Sequence, residues 1–215
     1  MQIYRFKSDK VNQKIFVNYL AHLLLSCDQE DVAIGNFIAD FIRNREVPNY
    51  SVGIQHGIIL HRKIDYYTDN HPVVRQGTHR LRVNHGKYAP VVLDVLFDYL
   101  LANNWEKYSD EPIADYTKKV YRILSKHQAI LPPKIGNRLP EMIADNWLIK
   151  YGWDDGLRYV FERMKRRVSQ PLLLNNAVES LKADYDLFEK EFNTFFPEVI
   201  AYVEREILMP IENPK

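Results

Sequence analysis

Residues 50–70 read YSVGIQHGIILHRKIDYYTDN, and the spacing within this stretch sets the class of the molecule. Apolar and small side chains recur at three and four rather than alternating, which is the period of an α-helix. At about 100° per residue His61 and Asp65 stand ~40° apart, and Ile54, Gly57 and Ile58 share their stripe. The pattern predicts a helix that turns an imidazole and a carboxylate toward the core. His56, ~140° from His61, faces elsewhere.

The same period extends in both directions. It predicts helices at roughly 14–27, 30–43, 50–70, 72–83, 87–107, 112–127, 139–149, 154–168 and 172–206. Asp28 is placed to cap the second, and His71-Pro72 opens the fourth. Asn84-His85-Gly86 is a break, and Leu131-Pro132-Pro133 through Gly136 and Pro140 forms the clearest loop. Pro197 is expected to end or kink the last helix. With 8 glycines in 215 residues, about half the usual share, there is little material for tight hairpins, and no fixed-period repeat occurs. No segment is long or polar enough to be a domain linker. The expectation is one all-α domain of about eight or nine helices.

Composition narrows the function classes. A chain that is 46% hydrophobic and 27% charged is globular, and at this length it buries roughly 70% of its unfolded surface without disulfide or structural metal. The lone Cys27 can neither pair within the chain nor build a thiolate zinc site, which favours a reducing compartment. The 29 basic and 28 acidic side chains leave a net charge of +1, unlike a dedicated nucleic-acid binder. The richest apolar segment, Ala89 to Ala102, is interrupted by Asp94 and Asp98, so no stretch reaches the ~18 to 20 residues of a bilayer span. Met1 to Lys14 is charged and has no apolar signal region. A cytoplasmic protein is the expectation.

Polar groups fall on the inward faces of four of these helices. Asp94 and Asp98 lie four apart on a side shared with Val91, Leu101 and Trp105. Asp40 shares its side with Ala33, Asn36 and Phe37, and His22 lies on a line with Asn18 and Ser26. An ionised carboxylate taken from water costs several kcal/mol (on the order of) unless something compensates it. A shared cation would do so, and Asp and His without thiolate suit Mn²⁺, Mg²⁺ or Fe²⁺. A plainer reading stands beside it: Arg43, Arg62 and Lys63 are available as ion-pair partners, His61 with Asp65 is also an ordinary hydrogen-bonded pair, and Asp69 also suits capping of the next helix. His71, His79, His85 and His127 read as surface residues.

Several blocks carry a family resemblance. Asn18 to Leu23 (NYLAHL), Gly35 to Phe41 (GNFIADF), Gly57 through His61-Arg62-Lys63-Ile64-Asp65 to Thr68-Asp69, and Asp94 to Asp98 (DVLFD) resemble segments of the acyl carrier protein phosphodiesterases. Asp145-Asn146-Trp147-Leu148, Tyr151, Gly156-Leu157, Arg166-Arg167 and Phe192 to Pro197 follow in the same order. The likeness runs over roughly residues 17–200. It implies an HD-phosphohydrolase-like helical fold and a divalent metal, Mn²⁺ above Mg²⁺ or Fe²⁺. The implied reaction removes 4′-phosphopantetheine from holo acyl carrier protein to leave the apo form. The resemblance maps His22, Asp40, His61, Asp65 and Asp98 onto the metal-site motifs and makes Arg62 a phosphate ligand. Asp65 or Asp69 would orient the attacking water, and His22 or a metal-bound water would protonate the departing serine oxygen. Tyr99 departs from the pattern, since family members often carry His directly after the second aspartate of that helix.

An acidic carrier protein calls for a local basic face. Arg158, Arg163, Lys165, Arg166 and Arg167 crowd one late helix, and Arg75, Arg80, Arg82 and Lys87 bracket the fourth. The other reading of each is a solvated helix surface. The domain is expected over 17–208, with residues 1–16 an extension of uncertain origin, Val17 standing where an initiating Met would fall, and 209–215 a tail. Two other functions fit the same residues: an HD-type hydrolase of nucleotides or other small phosphoesters, and a non-catalytic module that binds carrier protein.

Overall fold

The computed structural model describes residues 19–208, and every regular element among them is helical. The α-helices are α1 (Tyr19–Leu24), α2 (Glu30–Ile38), α3 (Val52–Asn70), α4 (Pro72–His85), α5 (Ala89–Asn103), α6 (Ile113–Lys126), α7 (Pro133–Gly136), α8 (Leu139–Ala144), α9 (Asp154–Lys165), α10 (Ala177–Ala183) and α11 (Tyr185–Leu208). Short 3₁₀ turns join them, among them Ala39–Phe41 and Trp147–Gly152. The extension at 1–16, the start of the first predicted helix, Asn18 and the tail lie outside the described residues. No helix among the described residues is long and apolar enough to cross a membrane.

One contact organises the rest. A β-carbon on Gly35 would lie 2.1 Å from the Ile54 carbonyl oxygen, and one on Gly57 would lie 2.1 Å from that of Val32. Helices α2 and α3 therefore cross with their backbones touching, an approach that only hydrogen side chains permit. The crossing sets Asn36, next to Gly35, against the inward face of α3. Ser51 caps α3 by accepting from the Ile54 N–H at 3.5 Å, and its own hydroxyl donates to Asp31 on α2 at 3.1 Å.

Around this crossing lies a continuous core. Ile34, Phe37, Ile38, Leu93, Leu96 and Leu100 are fully buried, each side chain contributing roughly 1.5–3 kcal/mol by leaving water. The far end is aromatic: Phe97 of α5 stands 5.6 Å from both Phe192 and Phe195 of α11, and Phe192 stacks on Phe196 at 5.0 Å. Offset and edge contacts of this kind add to area burial.

Several boundaries differ from those predicted. Asp28 does not cap α2: Gln29 occupies that position without a side-chain bond, while Asp28 takes φ +55° and accepts from Lys119 at 2.8 Å. The helix expected at 139–149 stops at Ala144, because Asn146 adopts a left-handed conformation and a 3₁₀ turn follows. That expected at 172–206 divides into a 3₁₀ turn, α10 and α11, with left-handed Asn176 at one break and Asp184 at the other. The count among the described residues rises to eleven because that last segment divides and because the expected loop is partly helical, Pro133 opening α7 and Pro140 standing in the first turn of α8, where proline's missing N–H costs nothing. Helix α11 runs on through Pro197 to Leu208.

Two of the four histidines expected at the surface are buried. His85 is fully enclosed, donating from Nδ1 to the Leu173 carbonyl at 2.8 Å and accepting from Ser180 at Nε2, 2.9 Å away. Burial lowers its pKa, so the neutral ring ties α4 to α10. His71 is buried beside Glu198 of α11 at 3.0 Å. His79 is exposed, and His127 is partly covered against Glu30 at 2.5 Å.

Candidate active site

Helices α1, α2 and α3 converge on one polar cluster inside the apolar core. The rings of His22 from α1 and His61 from α3 stack with centroids 4.1 Å apart. Both rings direct Nδ1 at the same atom, the Asn36 side-chain oxygen, at 2.8 and 3.0 Å. The Asn36 amide nitrogen donates to the His22 carbonyl at 2.7 Å and to Ser26 Oγ at 3.1 Å, and Ser26 in turn donates to the His22 carbonyl at 2.9 Å. Those two donations fix which end of the amide is oxygen. An amide oxygen only accepts, so each histidine carries a proton on Nδ1.

The opposite nitrogens are thereby defined. His22 Nε2 lies 3.3 Å from one Asp65 oxygen and His61 Nε2 lies 3.4 Å from the other, with Asp40 3.7 Å from His61 Nε2. Both Nε2 atoms are buried without an aligned hydrogen bond. One donor atom each from His22, His61 and Asp65 falls within a span of 4.8 Å. Two imidazole lone pairs and a carboxylate aimed at a common point fit a divalent cation, and the carbonyl-type bond to each Nδ1–H is the usual support for metal-bound histidine.

Charge in the cluster is divided unevenly. Burial and the neighbouring His61 lower the pKa of His22. Burial also opposes a charge on His61, but the Asp40 and Asp65 carboxylates outweigh it and raise that ring to about 9. Burial would raise Asp65, yet the two histidines hold it well below the usual carboxylate range. Without a cation, a single proton on His61 thus sits between two carboxylates beside a neutral His22.

The remaining predicted residues occupy several positions. Asp40 sits on the 3₁₀ turn that follows α2, at the edge of the cluster. Asp98 stands apart from the trio: fully buried, it accepts the backbone N–H groups of Leu20 at 3.2 Å and Ala21 at 3.0 Å. It anchors the start of α1, the helix that carries His22, and burial lifts its pKa to about 7 against the pull of those two bonds. Asp69 is exposed one turn beyond Asp65, its pKa raised by partial burial and then by the Asp65 charge. Arg62 donates to the Ile42 carbonyl at 2.9 Å and so braces the turn bearing Asp40.

Two contributors were absent from the predicted set. Asn36 shares the Asp40 stripe, which signalled an inward side chain but not its hold on both histidines. Asp94 lines a cavity with His22, Ile64, Thr68 and Asp98. Burial and the charges of Asp65, Asp69, Asp98 and Asp40 push its pKa well upward. Tyr99 donates to Asp154 at 3.1 Å.

The predicted basic face divides. Arg158 pairs with Glu179 at 2.7 Å and Lys165 with Glu162 at 2.5 Å, whereas Arg166 is exposed. Arg163 bonds Glu141 at 2.9 Å and lies 4.2 Å above the Trp147 ring. Arg167 is partly buried, its pKa lowered by that burial and by Arg138 and Arg163. On the other face Arg80 is bound bidentately by Glu191 at 2.9 and 2.7 Å.

The sequence profile described as acyl carrier protein phosphodiesterase matches residues 17–199. Proteins of that name from Salmonella dublin and Salmonella newport (strain SL254) are each 31% identical over 193 residues, covering 89% of this chain and 100% of the relative. The chain belongs to the acyl carrier protein phosphodiesterase family. Enzymes of the acyl carrier protein phosphodiesterase family are hydrolases of phosphodiester bonds, and His22, Asn36, Asp40, His61, Asp65, Asp94 and Asp98 all fall within the span matched to that family. No solved structure matches the chain.

Proposed function

We propose that this protein is a divalent-metal-dependent phosphodiester hydrolase that removes 4′-phosphopantetheine from holo acyl carrier protein and leaves the apo form, acting in the cytoplasm with an HD-phosphohydrolase-like site. The observation that carries the reading is the pair of Nδ1–H bonds to Asn36, which leaves His22 and His61 with Nε2 lone pairs converging on Asp65. The names of the family and its curated relatives support the substrate.

His22, His61 and Asp65 would hold the cation, with Asp40 closing the set. Mn²⁺ is the cation that the family resemblance favours, with Mg²⁺ or Fe²⁺ as alternatives. The chemistry such a cation would supply is a lowered pKa for bound water and neutralisation of charge on the phosphoryl oxygens. Asp65, ionised across the neutral range, orients the attacking water, with Asp69 one turn further out. His22 is assigned to the cation rather than to proton donation, because its Nδ1–H is committed to Asn36. Asp94, which lines the cavity beside His22, is assigned as the proton source for the departing serine oxygen.

Holo acyl carrier protein incubated with the purified protein and Mn²⁺ is expected to lose the mass of phosphopantetheine, and chelator is expected to stop the loss. An unchanged mass with Mn²⁺ present, under conditions in which small phosphoesters are cleaved, would instead indicate a small-molecule phosphohydrolase.

A further inference from the structure

Tyr19, Ile135 of α7, Arg138, the turn Trp147–Gly152, helix α9 and Arg167 line an open cleft. Its walls are aromatic, with Tyr19, Trp147 and Tyr159, and its cations are Arg138, Lys150, Arg163 and Arg167. Arg163 is engaged by Glu141, Asp145 and Trp147, and Lys150 lies over the Tyr159 ring at 4.2 Å. Arg138 and Arg167 differ. They stand near enough for each to repel the other's charge, and among the described residues neither has a carboxylate partner. Two partly covered guanidinium groups side by side, with Glu141 in range of Arg167 but bonded to Arg163, are an unfavourable arrangement that a bound dianion would relieve.

The cleft adjoins the histidine–aspartate cluster through Tyr19. This side chain lies three residues before His22, packs tilted against Phe37 with centroids 5.0 Å apart, and forms part of the cleft wall. Its hydroxyl lies within range of the charges of both Asp40 and the pair Arg167 and Arg138. Arg62, the phosphate ligand that the sequence suggested, has a guanidinium nitrogen engaged by the Ile42 carbonyl. Building on the reading above, we propose that Arg138 and Arg167 are the phosphate ligands of this enzyme and that the aromatic cleft beside them takes the phosphopantetheine arm. A planar fork matches the paired oxygens of a phosphate, and aromatic walls suit a thin, uncharged amide chain. Carboxylates on the surface of a carrier helix would meet exposed Arg166 rather than this recessed pair.

The test is calorimetric titration of the full chain, in chelator, with free 4′-phosphopantetheine, with phosphate-free pantetheine and with apo acyl carrier protein. For the wild type, 4′-phosphopantetheine should bind at one site, and Arg138→Gln and Arg167→Gln should each weaken it by about tenfold or more. Pantetheine should bind more weakly and indifferently to either change, and so should apo carrier protein. Arg167→Lys, with unchanged thermal unfolding, should recover part of the affinity and separates a charge effect from misfolding. Equal affinity of wild type and both Gln variants for 4′-phosphopantetheine would overturn the proposal, as would a loss seen equally with apo carrier protein. Arginine-dependent binding without turnover of holo carrier protein would keep the cleft and sink the hydrolase reading. Full turnover with unaltered KM in both variants would do the reverse.

Discussion

His22 and His61 stack at a centroid distance of 4.1 Å with their planes 27° apart. Two imidazolium rings at that separation in the core would repel strongly, which adds to burial in lowering His22, while the Asp40 and Asp65 carboxylates raise His61 to about 9. The stack exists because one acceptor, the Asn36 oxygen, receives both Nδ1–H groups. That acceptor is placed by the backbone contact between Gly35 and Gly57. The site is therefore a consequence of a helix crossing.

Asn36→Ala removes the shared acceptor and the donors to the His22 carbonyl and Ser26. Metal affinity measured by titration with Mn²⁺ is expected to fall about 10- to 100-fold, the usual effect of losing an outer-shell partner. An unaltered affinity would show that the tautomers are set by something else.

Metal binding must expel the proton that His61 carries at neutral pH. Mn²⁺ affinity is expected to climb from pH 6.5 toward 9 and level off above, with about one proton released per ion when titrations in buffers of different ionisation heat are compared. The metal-free protein should behave in the opposite sense. Its His61 pKa is raised above the ordinary 6.5, so that stabilisation is complete below 6.5 and is lost as pH rises through about 9. Asp98, raised to about 7, contributes with the same sign. Melting temperatures of the metal-free protein that hold constant from pH 6 to 9 would contradict the assignment.

Gly57→Ala drives a methyl group into the Val32 carbonyl, 2.1 Å from an ideal β-carbon. Helices α2 and α3 must separate, at a cost of roughly 2–3 kcal/mol, read as a shifted urea midpoint. Since the same movement withdraws Asn36 from His61, Mn²⁺ affinity is expected to fall as well. Full stability would mean that the crossing has slack.

Asp98→Asn leaves one side-chain acceptor for two N–H groups and is expected to destabilise the fold by about 1–3 kcal/mol. Its effect on Mn²⁺ affinity should be much smaller than that of Asp65→Asn. The opposite ranking would make Asp98 a ligand rather than the anchor of α1.

How far the sequence foretold this arrangement depended on the range of the contacts involved. The stripe of Ile54, Gly57, Ile58, His61 and Asp65 lies within one helix, and its period disclosed both the element and its inward polar pair. The all-helical class and the family were legible for similar reasons. The convergence of Asn36 on two rings was not, because it depends on how three helices meet. Asp98 enters the expected ligand set through the family resemblance and because a buried carboxylate needs compensation. Its partners are backbone N–H groups of α1, and those carry no side-chain signature. Asn146 and Asn176 end or begin helices in left-handed conformations, which asparagine tolerates without advertising. The charge run at residues 158–167 looked like one face, but its members divide between neighbouring acids and a cleft because side-chain direction decides burial there.

The central claim is that a divalent cation sits between His22, His61 and Asp65. Anomalous diffraction at the manganese edge from crystals grown with Mn²⁺ tests it most directly. The account predicts a peak about 2.1 Å from both Nε2 atoms and from an Asp65 oxygen. Ordered rings with no peak between them, or manganese bound only elsewhere, would contradict it.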